Sequence, residues 1–555
     1  MNAAELLLRP AGPRGDAGIA IECEGERVSR GELRERVARL AGAWRRLGLR
    51  PGGVVAVRLT DGIGWVEAWL SVIWAGGVAV GVNPRLPADE WRAACEESGF
   101  SFVVGDVADL ACMADTAGTG DPGSPAGTGN AGSAIGAGDV GSAPDAVCTG
   151  HAAGAADAAA PGSTPAPTLD LATLRAAAGA PIEPLPRRED DPMLWVHSSG
   201  TSGRPKAVVH AHRAANHIAQ ISAERLGLTG DDRLFASSRL FFTYPLVNGL
   251  LTGLRLGATL LIDPRWPTAA GVAAFVGEHR PSVLFSVPSL YRGLLHDGHE
   301  GHDGHAATLR GSSLRQAVSA GEALPVRLRE QWRATTGVPL WDGWGTSETL
   351  VLALTAAPDE PQLSPSPGVQ VRPADERAAA AGEPTRLLLG CPTLALGYHR
   401  RPAADAESFR DGRFCPADLF VREGTGWRFA GREDSLVKQR GRWVDLAQLE
   451  EQLTAGVRGL REAALACTED ADGLSELQLY YVAADLSGDT VAAVRSRLAE
   501  RVRALPPHQR PTRLAALEAL PRTPTGKLLR RALGTSREVA APASAAPAGA
   551  AVRTS

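Results

Sequence analysis

Short apolar stretches of strand character alternate with helical ones along most of this chain, and that alternation restricts it to a layered α/β fold. The apolar runs fall at 54–58, 78–82, 101–104, 193–197, 258–262, 283–287, 315–318 and 338–341. Apolar runs of this kind fit strands in largely buried sheets. Residues 30–48 carry Leu, Val and Ala at helical spacing, with Arg on the other face. Residues 113–167 break the pattern with Gly, Ala, Ser, Pro and Asp and almost no large apolar side chain. Such a stretch buries too little surface to offset its ordering entropy, so a disordered insertion is expected there. The Ala/Pro-rich tail 536–555 reads the same way, and 356–373 reads as a Pro-rich loop. Residues 444–533 suggest a small α+β unit, with a helix near 445–456, a strand near 477–484 and an amphipathic helix near 490–504.

At 555 residues the chain is too long for one core, so two or more domains are expected. Net charge is −4 without a sustained basic run, which argues against nucleic acid as a partner. Seven cysteines (23, 95, 112, 148, 391, 415 and 467) show no CxxC spacing, which points to a reducing compartment rather than a disulfide or zinc framework. The start of the chain lacks a signal-peptide core, and the longest apolar run, 69–82, is too short to span a bilayer. A cytoplasmic enzyme that engages no membrane is expected.

Basic charge is carried almost wholly by arginine. Only Lys206, Lys438 and Lys527 are lysines among 58 basic residues. An ammonium is a compact charge on a flexible stem, and a planar guanidinium does not replace it. The three lysines therefore mark candidate chemistry. Lys206 closes an apolar run, Met193-Leu194-Trp195-Val196, followed by His197-Ser198-Ser199-Gly200-Thr201-Ser202-Gly203-Arg204-Pro205-Lys206. Glycines let backbone N–H groups converge on an anion, and the hydroxyls and lysine add donors and charge. The loop suits phosphate, although it does not match the Walker A pattern.

SSGTSGRPKAVVH resembles the phosphate loop of the adenylate-forming superfamily: acyl- and aryl-CoA synthetases, peptide-synthetase adenylation domains and luciferases. Further segments follow in the family's order. Ser319-Ala320-Gly321-Glu322-Ala323-Leu324-Pro325 resembles the adenine-flanking segment, and Asp342-Gly343-Trp344-Gly345-Thr346-Ser347-Glu348 the Y-G-x-T-E motif. Asp418 stands where the family has its T-G-D aspartate. Gly431 to Glu450 is similar to the hinge and the motif after it, and Pro521 to Lys527 to the C-terminal lysine motif. The resemblance covers about 1–110 and 190–535 and is nearest to benzoate-CoA ligases. It implies a large N-terminal domain, 1–433, of α/β subdomains plus a small barrel-like part. A small mobile α+β domain, 434–535, would be hinged to it at Asp434.

The implied reaction joins an aromatic acid to AMP from ATP and then transfers the acyl group to the thiol of CoA. Lys206 with Ser198, Ser199, Gly200, Thr201, Ser202 and Gly203 would hold the phosphates; Glu348 would bind Mg²⁺ with Thr201 beside it. Gly321, Glu322, Gly343, Gly345, Thr346 and Ser347 would complete the nucleotide site. Asp342 would accept from the adenine amino group, Trp344 would stack on the ring, and Asp418 with Arg432 would hold the ribose. Lys527 would bridge the acid and the α-phosphate during adenylation. After rotation at the hinge, Lys438, Gly441, Arg442 and Trp443 would line the path of the thiol.

The same resemblance places the acid among Phe241, Phe242, Thr243, Tyr244, Gly321, Trp344 and Val351. Trp344 stands where benzoate-CoA ligases often carry a small aliphatic residue, so a substituted benzoate or aryl-acrylate is expected as readily as benzoate. Pro416-Ala417 replaces the usual Thr-Gly before Asp418, and Ala207 a common Gly. A carrier-protein thiol or nitrite stands as an alternative acceptor, and a silent nucleotide sensor as a different class. A homodimer is left open. His296, His299, His302 and His305 repeat every three residues in a Gly-rich connection and read as a solvated loop with adventitious metal affinity.

Overall fold

The computed structural model describes residues 1–9, 14–105, 166–198, 206–296, 305–433, 436–439, 442–469, 475–522 and 528–535. All eight apolar runs form strands, which divide between two sheets. One has seven strands in the order Gly397–Tyr398, Lys206–Ala211, Pro192–Ser198, Val78–Gly81, Val54–Arg58, Phe102–Gly105, Thr168–Leu169. The other has nine, with Leu340–Gly345, Gln316–Ala320, Val283–Ser286, Arg233–Ala236, Thr259–Ile262 and Ile19–Cys23 parallel to one another across its middle. Val283, Leu284 and Phe285 are fully buried, as helices on both faces of a parallel sheet require.

The helix Ile63–Trp74 is apolar on most of its surface, Glu67 and Ser71 excepted, because it packs against strands of both sheets. Its Trp65 and Trp69 rings stack 5.9 Å apart. Gly81 ends its strand where the layers approach. A Cβ there would stand 2.9 Å from the Trp65 ring and 3.1 Å from the Phe241 Cα, so only glycine permits the contact.

A third, six-stranded antiparallel sheet carries Asp418–Glu423 beside Gly426–Arg432. Part of 356–373 is strand rather than loop. Gln370–Pro373 pairs with Thr385–Gly390 in this third sheet, while Ser364–Pro365 edges the nine-stranded sheet, a position that tolerates proline. The C-terminal unit holds the hairpin Leu436–Gln439 and Arg442–Asp445, a three-stranded sheet, and the helices Leu446–Thr454 and Gly488–Ala504. The 113–167 insertion, up to residue 165, and the 536–555 tail lie outside the described residues. Among the described residues no helix is long and apolar enough to cross a membrane.

Candidate active site

Gln316–Ala320 and Leu340–Gly345 lie side by side, Ser319 opposite Asp342 and Ala320 opposite Gly343. Their carboxyl ends open onto the crevice where parallel sheets collect ligands. Gly321 turns the chain at φ +89°. Burial pushes the Asp342 carboxyl up to about 7, against the pull of the Arg329 charge and a hydrogen bond from the Gly343 backbone. Glu322 follows Gly321 directly. Its carboxylate takes the N–H and hydroxyl of Ser289, both at 3.0 Å, at the start of the helix Pro288–His296, where negative charge is favoured.

After Gly345 the chain makes a tight turn. Thr346 N–H donates to Thr349 Oγ1 at 3.1 Å, Thr349 N–H to Thr346 Oγ1 at 3.3 Å, and Leu350 N–H to Thr346 O at 3.1 Å. Leu350 is buried at φ +66°, a conformation leucine seldom adopts. Gly345 has no alternative, since a Cβ would stand 2.5 Å from Val351 O. The turn buries Glu348 and sets Val351 in the apolar cluster of Leu240 and Leu246.

Glu348 Oε1 accepts the Tyr398 hydroxyl at 2.8 Å, and no other described residue donates to the carboxylate. Lys206 opens the strand Lys206–Ala211, and its Nζ stands 4.9 Å from the centroid of the same Tyr398 ring. Four residues on, buried His210 places Nε2 2.8 Å from Ser347 O and Nδ1 3.1 Å from Thr393 O. Burial pushes this imidazole down to about 4, although both carbonyls favour its protonated form; a neutral ring donates to one of them at a time. Tyr398 and His210 went unnoticed in the sequence. His210 lies in the quoted phosphate-loop run, but nothing in the spacing distinguishes it. Tyr398 is a lone aromatic whose partners appear only when its strand docks beside Lys206–Ala211.

The aromatic segment reaches the same place. Thr243 Oγ1 lies 3.1 Å from Ser347 Oγ. The Phe241 and Phe242 rings are 4.3 Å apart, with Phe241 buried and Phe242 half-buried. Tyr244 donates its hydroxyl to Val318 O at 2.9 Å and meets Phe285 edge-on at 6.0 Å, so its polar end is committed to the sheet. Burial holds that phenol well above its ordinary range. Across the cleft Asp418 is buried opposite Arg432, Nη1 to Oδ2 3.5 Å. Trp344 meets Phe420 edge-on at 5.1 Å, which links the strand of Asp342 to that of Asp418.

Ser199, Gly200, Thr201, Ser202, Gly203, Asp434, Gly441 and Lys527 lie outside the described residues. The backbone places Lys438 opposite Trp443 and Gln439 opposite Arg442 across the C-terminal hairpin. His296 ends a helix and His305 begins a short one, with 297–304 outside the described residues.

Buried Glu348 and Asp418, with Lys206 at the start of its strand, are the charged side chains these elements present. Residues 11–399 match the AMP-binding enzyme family, and the chain belongs to that family. It is 32% identical over 546 residues to the 3-hydroxybenzoate–CoA/4-hydroxybenzoate–CoA ligase of Thauera aromatica, covering 95% of this chain and 96% of that one. It is 30% identical over 541 residues to the benzoate–CoA ligase of the same organism, covering 93% and 92%. The solved benzoate CoA ligase of Burkholderia xenovorans LB400 superposes with a TM-score of 0.74 at 26% identity, covering 96% of this chain and 99% of that one. The anthranilate CoA ligase AuaEII shares the fold, with a TM-score of 0.78 at 22% identity over 96% and 97% of the chains.

Proposed function

We infer that this protein is an AMP-forming acid–thiol ligase that activates a benzoate-type acid with ATP and passes the acyl group to CoA. The observation that carries this reading is the Thr243–Ser347 hydroxyl contact at 3.1 Å, which sets the aromatic segment directly beside the Glu348 turn. An acid seated on that segment lies within reach of a nucleotide held by the turn. The full-length likeness to hydroxybenzoate and benzoate ligases supports the choice of acid and of acceptor.

A free carboxylate is a poor electrophile because oxide would have to leave. Attack of the carboxylate oxygen on the α-phosphorus expels pyrophosphate and gives a mixed anhydride whose leaving group is AMP. The protein's share of this step is charge neutralisation and in-line placement. Lys206, with the loop before it, meets the β- and γ-phosphates. Asp342 accepts from the adenine amino group, Trp344 covers the ring, and Asp418 with Arg432 fixes the ribose. Lys527 bridges the acid and the α-phosphate. The donors fit a hard divalent cation: Glu348 offers an oxygen that no described residue occupies, beside the hydroxyl-rich turn. Bound there, Mg²⁺ would neutralise triphosphate charge. The CoA thiolate then attacks the acyl carbon and AMP departs.

Pyrophosphate release with benzoate, its hydroxy and amino derivatives and cinnamates tests the first step. Mass spectrometry of the product with CoA, a carrier protein or nitrite tests the second. Aryl-CoA and AMP are expected. An adenylate that ignores CoA and is consumed by another acceptor overturns the thiol assignment.

A further inference from the structure

Tyr398 lies on the edge strand Gly397–Tyr398, opposite Val208 of the strand that Lys206 opens. Its backbone N–H donates to Asp405 Oδ1 at 2.7 Å, and its ring meets Phe409 edge-on at 5.7 Å, so the side chain has little freedom to turn. From that fixed position it touches two opposite charges. The hydroxyl donates to Glu348 Oε1 at 2.8 Å, and the ring lies 4.9 Å from Lys206 Nζ. Lys206 opens a strand of the seven-stranded sheet, Glu348 lies in the turn between two strands of the nine-stranded one, and the two make no ion pair with each other; both contacts run through this tyrosine.

The geometry points to Tyr398 as a positioning residue that keeps Lys206 and Glu348 apart and aimed, the ring steadying the ammonium and the hydroxyl orienting the carboxylate toward a divalent cation. The proposal rests on the reading of Glu348 as the metal ligand. A lysine and a carboxylate left free in one cleft would pair and neutralise each other, withdrawing both from ATP. Separated by a ring, each keeps its charge for the substrate. An ammonium over an aromatic face is attracted to it without losing that charge. A hydroxyl bonded to one carboxylate oxygen leaves the other for metal, the usual role of groups behind a ligand.

Two variants separate the contacts. Tyr398→Phe keeps the ring and removes the donor; Tyr398→Leu removes both. ATP affinity is measured by calorimetry in EDTA and in Mg²⁺, with thermal melting to verify folding. For Tyr398→Phe, ATP affinity in EDTA stays within about twofold of the parent, while the gain in affinity that Mg²⁺ confers falls about tenfold. The Mg²⁺ concentration for half-maximal pyrophosphate release rises in parallel. For Tyr398→Leu, ATP binding weakens about fivefold even in EDTA. KM for the aromatic acid is unchanged in Tyr398→Phe. A Tyr398→Phe enzyme that keeps the full Mg²⁺ gain, or loses affinity equally with and without Mg²⁺, overturns the proposal. Glu348→Gln distinguishes the two levels. If it too keeps the Mg²⁺ gain, the metal-ligand reading falls; if it alone loses the gain, only the role of Tyr398 falls.

Discussion

Asp342 is a carboxyl held where charge is disfavoured, and its pH dependence has a definite sign. Its pKa rises from 3.8 to about 7 in the fold because burial opposes ionisation. Below 3.8 both folded and unfolded states hold the proton and nothing is lost. Between 3.8 and about 7 the unfolded chain releases it while the fold retains it, so stability falls as pH rises, by a few kcal/mol in all. Asp342→Asn removes that slope. Its melting temperature without ligand should match the parent near pH 4, exceed it increasingly up to pH 7, and keep a constant lead beyond. A difference that does not vary with pH refutes this. Gly345 is as constrained sterically as Asp342 is electrostatically. Gly345→Ala drives a Cβ into Val351 O and must displace the turn that holds Glu348. Pyrophosphate release should fall about a hundredfold, the scale of ångström misplacement in a catalytic site. Residues of this kind were legible because the chemistry demands their type at one motif position. Tyr398 was not, since its role depends on which strand it docks beside and on a hydroxyl direction no spacing encodes.

Elements divide along the same line. The strands buried on both faces, such as Val283–Ser286 and Thr259–Ile262, show in the sequence as unbroken apolar runs because both faces need apolar side chains. Ile19–Cys23 and Gln370–Pro373 were missed: one mixes Glu22 into its pattern, and the other carries arginine and proline with its residues exposed or half-exposed. Secondary structure at the acid site is irregular as well. The short helix Thr243–Pro245 passes into a π-helical turn, Leu246–Leu251, in which Asn248 donates to Tyr244 O at 3.0 Å. Such turns recur at functional sites because the widened ladder re-aims side chains. What seats this segment on the neighbouring sheet is Gly81. Gly81→Ala places a methyl 3.1 Å from the Phe241 Cα and should shift Phe241–Tyr244 outward. The expected result is an about tenfold higher KM for the aromatic acid, ATP affinity within twofold, and about 1–3 kcal/mol less stability from overpacking. An equal loss of acid and ATP binding would mean that Gly81 supports the cleft as a whole rather than the acid segment.

At the scale of the molecule, the C-terminal unit has a core of its own. Its apolar clusters, built on Leu449, Leu465, Leu479, Val494 and Leu498 with Tyr480, Leu517 and Leu533 on the other face of the sheet, draw on residues 437–533 alone. A unit whose core is closed can move without unfolding, and we propose that it turns as one body about the expected hinge at Asp434. Two of the three lysines lie beyond that boundary, in different segments: Lys438 on a hairpin opposite Trp443, and Lys527 near the end of the unit. A rotating unit that presents one and then the other assigns each lysine to one step. Lys527→Ala should slow pyrophosphate release by about 10²–10³, the cost of removing one group that stabilises transition-state charge, yet still convert supplied aryl-adenylate to aryl-CoA. Lys438→Ala should release pyrophosphate in a normal burst and then stall, with aryl-AMP accumulating on the enzyme. Rapid-quench measurement of both half-reactions decides it. If each variant slows both steps by the same factor, the lysines share one arrangement and no rotation separates them. If the losses fall on opposite steps, the small unit works both halves of the reaction by turning, and a Pro at position 434, which stiffens the pivot, should uncouple the second step from the first.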